Sequence, residues 1–212
     1  MLNVNELVGF GVSSQGVTDI SYVTNVWADG SAMVVPATAE DGDIALFSAS
    51  SVSTGTASSM SIPADFILLY NYATTNVNYK IAYKILSASD IGATLITQNN
   101  TALTIYRPNG AALLEAVSDG GQDSSGNPSN QTIPSATYTG NLLLEMMLYR
   151  HNNVATINRG STYSDLEITL EGNKSYLRFK KYLKSDTALD NTISLSSGQA
   201  RRFLGNVLIQ IT

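Results

Sequence analysis

The sequence predicts an all-β protein, a single antiparallel β-sandwich of jelly-roll type with little or no helix. Three observations carry this. The first is residues 78–107, NYKIAYKILSASDIGATLITQNNTALTIYR, which read as three consecutive strands, a meander with two turns. Tyr79, Ile81, Tyr83 and Ile85 alternate with Asn78, Lys80, Ala82 and Lys84, the period of two that marks a strand with one buried face. The second is turn chemistry: short apolar runs are separated along the whole chain by Gly, Asn, Asp, Ser and Pro. The third is that no window repeats apolar residues at helical spacing over a useful length, residues 180–189 offering one turn or two at most. A meander cannot stand alone in water, so the other strands must supply a second sheet over its apolar face.

Residues 1–16 hold a short apolar patch, Leu7-Val-Gly-Phe-Gly-Val, followed by Ser-Ser-Gln-Gly. It reads either as a first edge strand or as an arm that docks on another subunit. Glycines at 9 and 11 cost backbone entropy and contribute no side chain, which makes a poor interior strand. Leu7, Val8, Phe10 and Val12 are therefore candidate partner-binding residues, and the sandwich domain is expected over 17–212. Residues 20–26 and 32–35 read as two strands of a hairpin around Asp29-Gly30, a turn dipeptide. Residues 36–43 are a turn cluster that opens onto a buried-type strand at 44–47. Residues 48–61 are mostly Ser, Thr, Ala and Gly and are expected as an exposed, mobile loop.

Pro63-Ala-Asp turns the chain into a strand at 66–70, after which the meander follows. Residues 111–117 make one more strand. Residues 119–128, polar and glycine-rich, read as the longest loop, a place for binding specificity or for tolerated insertions. Residues 141–150 are strongly apolar and belong in the middle of a sheet. Residues 166–170 and 176–180 alternate on either side of Asn173, and 193–195 and 207–211 close the sandwich, the last as an interior strand. In this scheme the loops at 48–61 and 119–130 face outward.

At 212 residues, the chain can bury one substantial core. Its 43% hydrophobic content is that of a globular chain. Charged residues are only 14%, against about 25% in an average domain, so Ser, Thr and Asn do the solvating. A net charge of -5 and a pI of about 4.7 argue against nucleic acid or an anionic membrane as partner. With no cysteine, disulfides and thiolate metal sites are excluded. The first residues carry no basic stretch before an apolar one, so no signal peptide is expected. The most apolar run, residues 142–148, is too short to span a bilayer and contains Glu145. The expectation is a soluble protein made in a cytoplasm.

Chemistry is sparse, and the expectation is a chain that is not an enzyme and uses no cofactor. The single histidine, His151, follows Arg150 and precedes Asn152, and no nucleophile or orienting carboxylate is spaced to serve it as a general base. Asp119, Asp123 and Asn127 match no calcium loop. A glycosidase pair cannot be selected from 17 acids. Trp27, Tyr70, Tyr72, Tyr138 and Tyr163 could form aromatic platforms for a sugar, although strand tyrosines more commonly pack in cores or interfaces. The sequons at Asn99, Asn130 and Asn173 are what an Asn/Ser/Thr-rich chain produces by chance.

Four stretches carry a resemblance: Glu40-Asp-Gly-Asp-Ile-Ala-Leu, Pro63-Ala-Asp-Phe-Ile-Leu-Leu, Lys84-Ile-Leu-Ser-Ala-Ser-Asp-Ile-Gly-Ala-Thr and Ala102-Leu-Thr-Ile-Tyr-Arg. Together they resemble a β-sandwich module of tailed-bacteriophage virion structural proteins. The family pattern is a Gly-Asp before a buried strand, a Pro-Gly-Trp-like turn, a Ser-Asp-x-Gly turn and a strand ending in Tyr-Arg-Gly. The resemblance spans residues 36–110, with Phe66 where tryptophan is usual and Pro108 where glycine is usual. Its motifs mark strands and turns.

What the resemblance implies is a virion component without a cofactor: a capsid decoration or cement protein, a head fibre or knob, or a tail-fibre module. Such a protein works by presenting surface and gains avidity from symmetric multiplicity. Its partners would be capsid or tail proteins and copies of itself as a homo-oligomer. A compact decoration subunit suits a chain without stalk or coiled coil better than a whole fibre does. The alternative is a tail-fibre or carbohydrate-binding module that recognises host-surface glycans.

Overall fold

A computed structural model describes residues 17–52, 56–75, 77–124, 130–132, 142–150, 157–158, 166–170, 175–183, 192–195 and 202–212, with side chains over 17–51, 56–75, 77–115 and 209–212. Strands β1 (Ile20–Ala28), β3 (Ile44–Val52), β4 (Ile67–Ala73), β5 (Val77–Ile85) and β7 (Thr101–Pro108) form a five-stranded antiparallel sheet in the order β1-β7-β3-β5-β4. Strands β2 (Ala32–Val34) and β6 (Thr94–Thr97) pair separately. A second five-stranded sheet contains β8 (Leu114–Ser124), β10 (Leu142–Arg150), β12 (Leu166–Leu170), β13 (Ser175–Leu183) and β15 (Arg202–Ile211), in the order β12-β13-β10-β15-β8. Short strands β9 (Asn130–Thr132), β11 (Ile157–Asn158) and β14 (Thr192–Leu195) make a third, small sheet. Among the described residues the one helical element is a 3-10 turn at Ala88–Asp90. The protein is all-β, as expected.

The first sheet is buried on both faces, not one. On one face Ile44, Leu46, Tyr79, Ile81, Tyr83 and Tyr106 form a core rich in tyrosine. On the other, the intervening residues Ala45, Phe47, Ala82, Leu103 and Ile105 pack with Met33, Met60, Phe66 and Leu86. Successive residues of β3 thus enter opposite cores, as the pleat requires. The phenylalanine face is covered locally, by β2, β6 and the segments around Met60 and Leu86. The tyrosine face is covered from far along the chain, by Leu114 of β8 and by Ile209 and Ile211 of β15. Reciprocal backbone hydrogen bonds of 2.9 and 3.0 Å between Leu113 and Thr212 continue that pairing beyond the two strands.

Several expectations are corrected. The strands of residues 78–107 exist, but they are not a meander: β3 lies between β5 and β7, and β6 leaves the sheet to pair with β2. The strands on either side of Asp29-Gly30 are not a hairpin, since β1 pairs with β7 and β2 with β6. Splitting them lets the apolar side chain of Met33 reach the phenylalanine core, where it is fully buried. The start of the 48–61 segment is no outward loop. Strand β3 continues through it, and Ser48, Ala49 and Ser50 are buried between neighbouring strands. Likewise residues 119–124 are strand, paired with β15, and not the first half of a loop.

Other expectations hold. Residues 142–150 are central in their sheet, β12 and β13 pair antiparallel, and β15 is an interior strand between β10 and β8. Lys180 to Leu183 continue β13, leaving no helix there among the described residues. Phe66 is buried and meets Phe47 edge-on at 6.1 Å, so an aromatic other than tryptophan fills that turn. Pro108 ends β7 opposite Ile20, a position that tolerates a missing N–H.

Candidate functional site

Two clusters of polar side chains lie at the two ends of the first sheet. One end is charged. Gly42 and Asp43 lead into β3, whose first residue lies beside Ile85 and Tyr106, so Asp43, Lys84 and Arg107 come to the same end from three strands. Arg107 closes a two-pronged contact on Asp43, Nε to Oδ1 at 2.9 Å and Nη2 to Oδ2 at 3.0 Å. Its Nη1 reaches Glu40 at 2.9 Å. Asp43 Oδ2 also accepts the Glu40 N–H at 2.9 Å, so both carboxylate oxygens are engaged although the residue is buried. A buried carboxylate is tolerated only when it is paired and hydrogen-bonded in this way. The hydrogen bonds to Asp43 raise the Arg107 pKa above its ordinary value, with Glu40 adding to the effect.

Next to this, Lys84 Nζ donates to Asp90 Oδ1 at 2.6 Å. The Ser87 N–H and hydroxyl donate to Asp90 Oδ2 at 2.8 and 2.7 Å, which fixes the 3-10 turn after β5. Burial pushes the Asp90 carboxyl up, but the bonds from Lys84 and Ser87 outweigh it and hold it at about 2. The adjoining hollow, about 470 Å³, is lined by Asp41, Asp43, Ile85 and Arg107. The Arg107 guanidinium is already turned on two carboxylates and staples β7 to the segment that leads into β3, while Lys84 and Asp90 fasten β5 to the turn that follows it.

The opposite end carries one carboxylate, Asp29, among amides and hydroxyls. There β3 finishes beside β5 and the β6–β7 turn, and a hollow of about 320 Å³ opens among Ser51, Ser58, Ser59, Gln98, Asn99 and Asn100. Ser51 Oγ accepts the Ser58 N–H at 2.9 Å. Gln98 binds the backbone of Ser61 twice, accepting its N–H at 2.9 Å and donating to its carbonyl at 3.3 Å. Asn100 adopts a left-handed backbone, φ 52°, and its N–H donates to Asp29 Oδ1 at 3.3 Å. The Asn100 Oδ1 is shielded from solvent and meets no donor.

Of the residues singled out from the sequence, Trp27 and Tyr72 are half-buried against the tyrosine core and Tyr70 is within it. They are packing residues and do not form an exposed sugar platform. Asp119 and Asp123 both lie on β8, opposite Val207 and Phe203, with Cα atoms about 13 Å apart along an extended strand. Direct ligation of one ion draws its oxygens to within about 2.6 Å of it, which that spacing does not favour. Among the described residues no group of three or more His, Asp or Glu gathers as metal ligands do. No helix among them is long and apolar enough to cross a membrane. Leu7, Val8, Phe10, Val12, Asn127, Tyr138, His151 and Tyr163 lie outside the described residues.

Sequence reasoning missed the serine and asparagine hollow because its serines were assigned to a loop with nothing to pack. The one available signal was Asn99-Asn100, since asparagine tolerates the left-handed turn better than most residues. No family model, curated protein or solved structure matches this chain.

Proposed function

We propose that this protein is a non-enzymatic structural protein of a tailed-bacteriophage virion, a capsid decoration or cement subunit or another virion-surface subunit. It acts through protein–protein contacts with capsid or tail proteins and with copies of itself. The observation that carries this reading is how the residues of the resemblance are used. Asp43, Lys84, Ser87, Asp90 and Arg107 come from separate stretches, meet at one end of the first sheet and are occupied in holding it. A rigid scaffold that spends its charges internally suits a protein whose work is to present surface. A contact surface is available on β4, the last strand of that sheet, which carries no charged residue and exposes Ile67 and Leu68 at 57% and 46%. Uncharged apolar edge strands favour association with another protein.

In this reading residues 17–212 form one sandwich domain, and residues 1–16 are an arm. Leu7, Val8, Phe10 and Val12 anchor the subunit to its neighbour by adding to a sheet edge or groove. The experiment follows incorporation. Full-length protein and a variant lacking residues 2–12 are expressed in cells producing the particle, which is then purified and imaged with an antibody label. Full-length protein is expected on the particle in many symmetric copies, and the truncated form is expected to stay soluble with unchanged melting. Full-length protein found only in the lysate overturns the virion assignment. A truncated form that still incorporates overturns the arm alone.

The second reading, a tail-fibre or carbohydrate-binding module for host-surface glycans, is favoured by the uncharged hollow at the far end of the same sheet.

A further inference from the structure

We infer that the open edge of β4 takes residues 7–12 of a second copy of this chain as an added strand. The inference rests on the reading of residues 1–16 as an arm and names the place where that arm docks. β4 is the last strand of the first sheet, and no described strand lies beyond it. The Thr74 N–H donates to the Val77 carbonyl at 2.7 Å and closes the turn between β4 and β5. Inward- and outward-bonding residues alternate along an antiparallel pair, so Ala73 and Asn71 turn their backbone N–H and C=O away from β5. Both residues are exposed. The bulge between Leu68 and Tyr70 leaves residues 70–73 as a regular run for pairing. Sheet edges are ordinarily blunted by charge, and β4 carries none.

The two faces of β4 define the occupant. Ile67 and Tyr72 lie opposite Tyr83 and Tyr79, on the tyrosine face, yet Ile67 is more than half exposed and Tyr72 and Leu69 are only half-buried. The apolar core is unfinished along this edge. On the other face Asn71 and Ala73 are exposed and need no apolar cover. A strand with apolar side chains on one side and none on the other suits both faces. Val8, Phe10 and Val12 alternate with Gly9 and Gly11 in this way. The root of the arm is fixed. Val17 is fully buried, and the Thr18 and Asp19 N–H groups donate to Asn109 Oδ1 at 3.0 and 3.1 Å, just past β7. The arm therefore leaves from the β1 side of the sheet, with β7, β3 and β5 between it and β4 of its own chain. The 16 residues before Val17 extend to about 50 Å, enough to lie along the β4 edge of a neighbour. Such a contact is head-to-tail, the kind that closes a ring or continues as a row of copies.

The test follows self-association of the purified full-length protein by sedimentation velocity from about 1 to 200 μM, with cross-linking beside it. Association that rises with concentration is expected. Ala73→Pro removes one outward N–H and spares the bonds to β5, since proline is tolerated on the open side of an edge strand. It is expected to melt as the wild type does and to weaken association by about tenfold or more. Ile67→Lys, a change at an exposed position, is a second route to the same loss. The chain has no cysteine, so introduced cysteines report contacts cleanly. Gly9→Cys or Gly11→Cys, mixed with Asn71→Cys, is expected to form a disulfide between the two proteins, because facing residues of paired strands lie within disulfide range. No association and no mixed disulfide overturn the inference. Association undiminished in both β4 variants, or in protein lacking residues 2–12, also overturns it. One chain carrying both Gly11→Cys and Asn71→Cys that closes its disulfide as a monomer gives β4 to its own arm and overturns the second copy. Truncated protein that fails to join the particle while both β4 variants associate normally overturns the β4 site and leaves the arm standing.

Discussion

The two ends of the first sheet are held by different chemistry, and the difference divides scaffold from site. At the charged end, Asp43, Arg107, Lys84 and Asp90 pair with one another and with backbone donors over distances of 2.6–3.0 Å. At the other end the ties are mostly neutral: the Thr101 hydroxyl donates to the Ala28 carbonyl at 3.2 Å and Gln98 and Ser51 hold a loop, while the Asn100 N–H meets the Asp29 carboxylate at 3.3 Å. A charge-assisted hydrogen bond is roughly twice as strong as a neutral one, and it occupies its groups more completely. The other end relies on weaker, mostly neutral bonds.

The largest effect should come from deleting the buried charge. Asp43→Ala removes two charge-assisted bonds to Arg107 and leaves the Glu40 N–H without its acceptor, a loss of about 3 kcal/mol. For a chain of this size that is a fall in melting temperature of about 6–12 °C. Glu40→Ala cuts only an exposed arm of the network and should cost no more than about 0.5 kcal/mol. Thr101→Val at the neutral end loses one neutral bond and should cost about 1 kcal/mol. Thermal unfolding of the three variants ranks them; a Thr101→Val loss equal to that of Asp43→Ala breaks the contrast between the ends.

The same contrast predicts a pH dependence. The folded Asp90 carboxyl titrates at about 2, below the roughly 3.9 of an unfolded chain. Its contribution is therefore fully present above about pH 4 and is lost as the pH falls through 2, amounting to on the order of 2 kcal/mol. Wild type and Asp90→Asn should differ by that amount at neutral pH and converge by about pH 2. Comparing the two proteins removes the titration of every other carboxylate. A gap that stays constant from pH 5 to pH 2 means Lys84 and Ser87 do not hold the carboxyl as described.

Strands were legible in the sequence and their partners were not. The alternation of Tyr79, Ile81 and Tyr83 against its neighbours marks β5 from local residues alone, and the apolar run at 142–150 marks a central strand. Pairing depends on distant residues. Nothing within 78–107 says that β3 will lie between β5 and β7, because that order is decided by which strands can bury both faces. Ser48, Ala49 and Ser50 looked like loop for the same reason. Small residues suit a strand enclosed on two sides, but they carry no apolar signal. At the charged end, the Gly-Asp and Ser-Asp-x-Gly turns were visible as turns, while the ion pair that ties the Gly-Asp turn to β7 required Arg107 to arrive from a strand 64 positions from Asp43. The neutral hollow draws on Ser51, Ser58 and Ser59 and on residues 98–100, and no local pattern unites them.

The smallest predicted effect separates the two ends by a pair of matched glycines. Gly30 and Gly42 both have positive φ, 76° and 88°, so an alanine at either strains the backbone by about 1 kcal/mol. Around Gly42, at the charged end, a new Cβ meets nothing within 4 Å. Around Gly30 it comes within 2.8 Å of Asn99 Oδ1, the tip of a side chain that lines the neutral hollow. That tip can swing aside at little cost, so Gly30→Ala and Gly42→Ala should melt within about 0.5 kcal/mol of each other. They should differ in what they disturb. Gly30→Ala displaces the Asn99 amide, and its Nδ2 signals should change, while Gly42→Ala leaves them as in the wild type. If the two variants match in these spectra as well as in stability, Asn99 does not border the hollow through this contact.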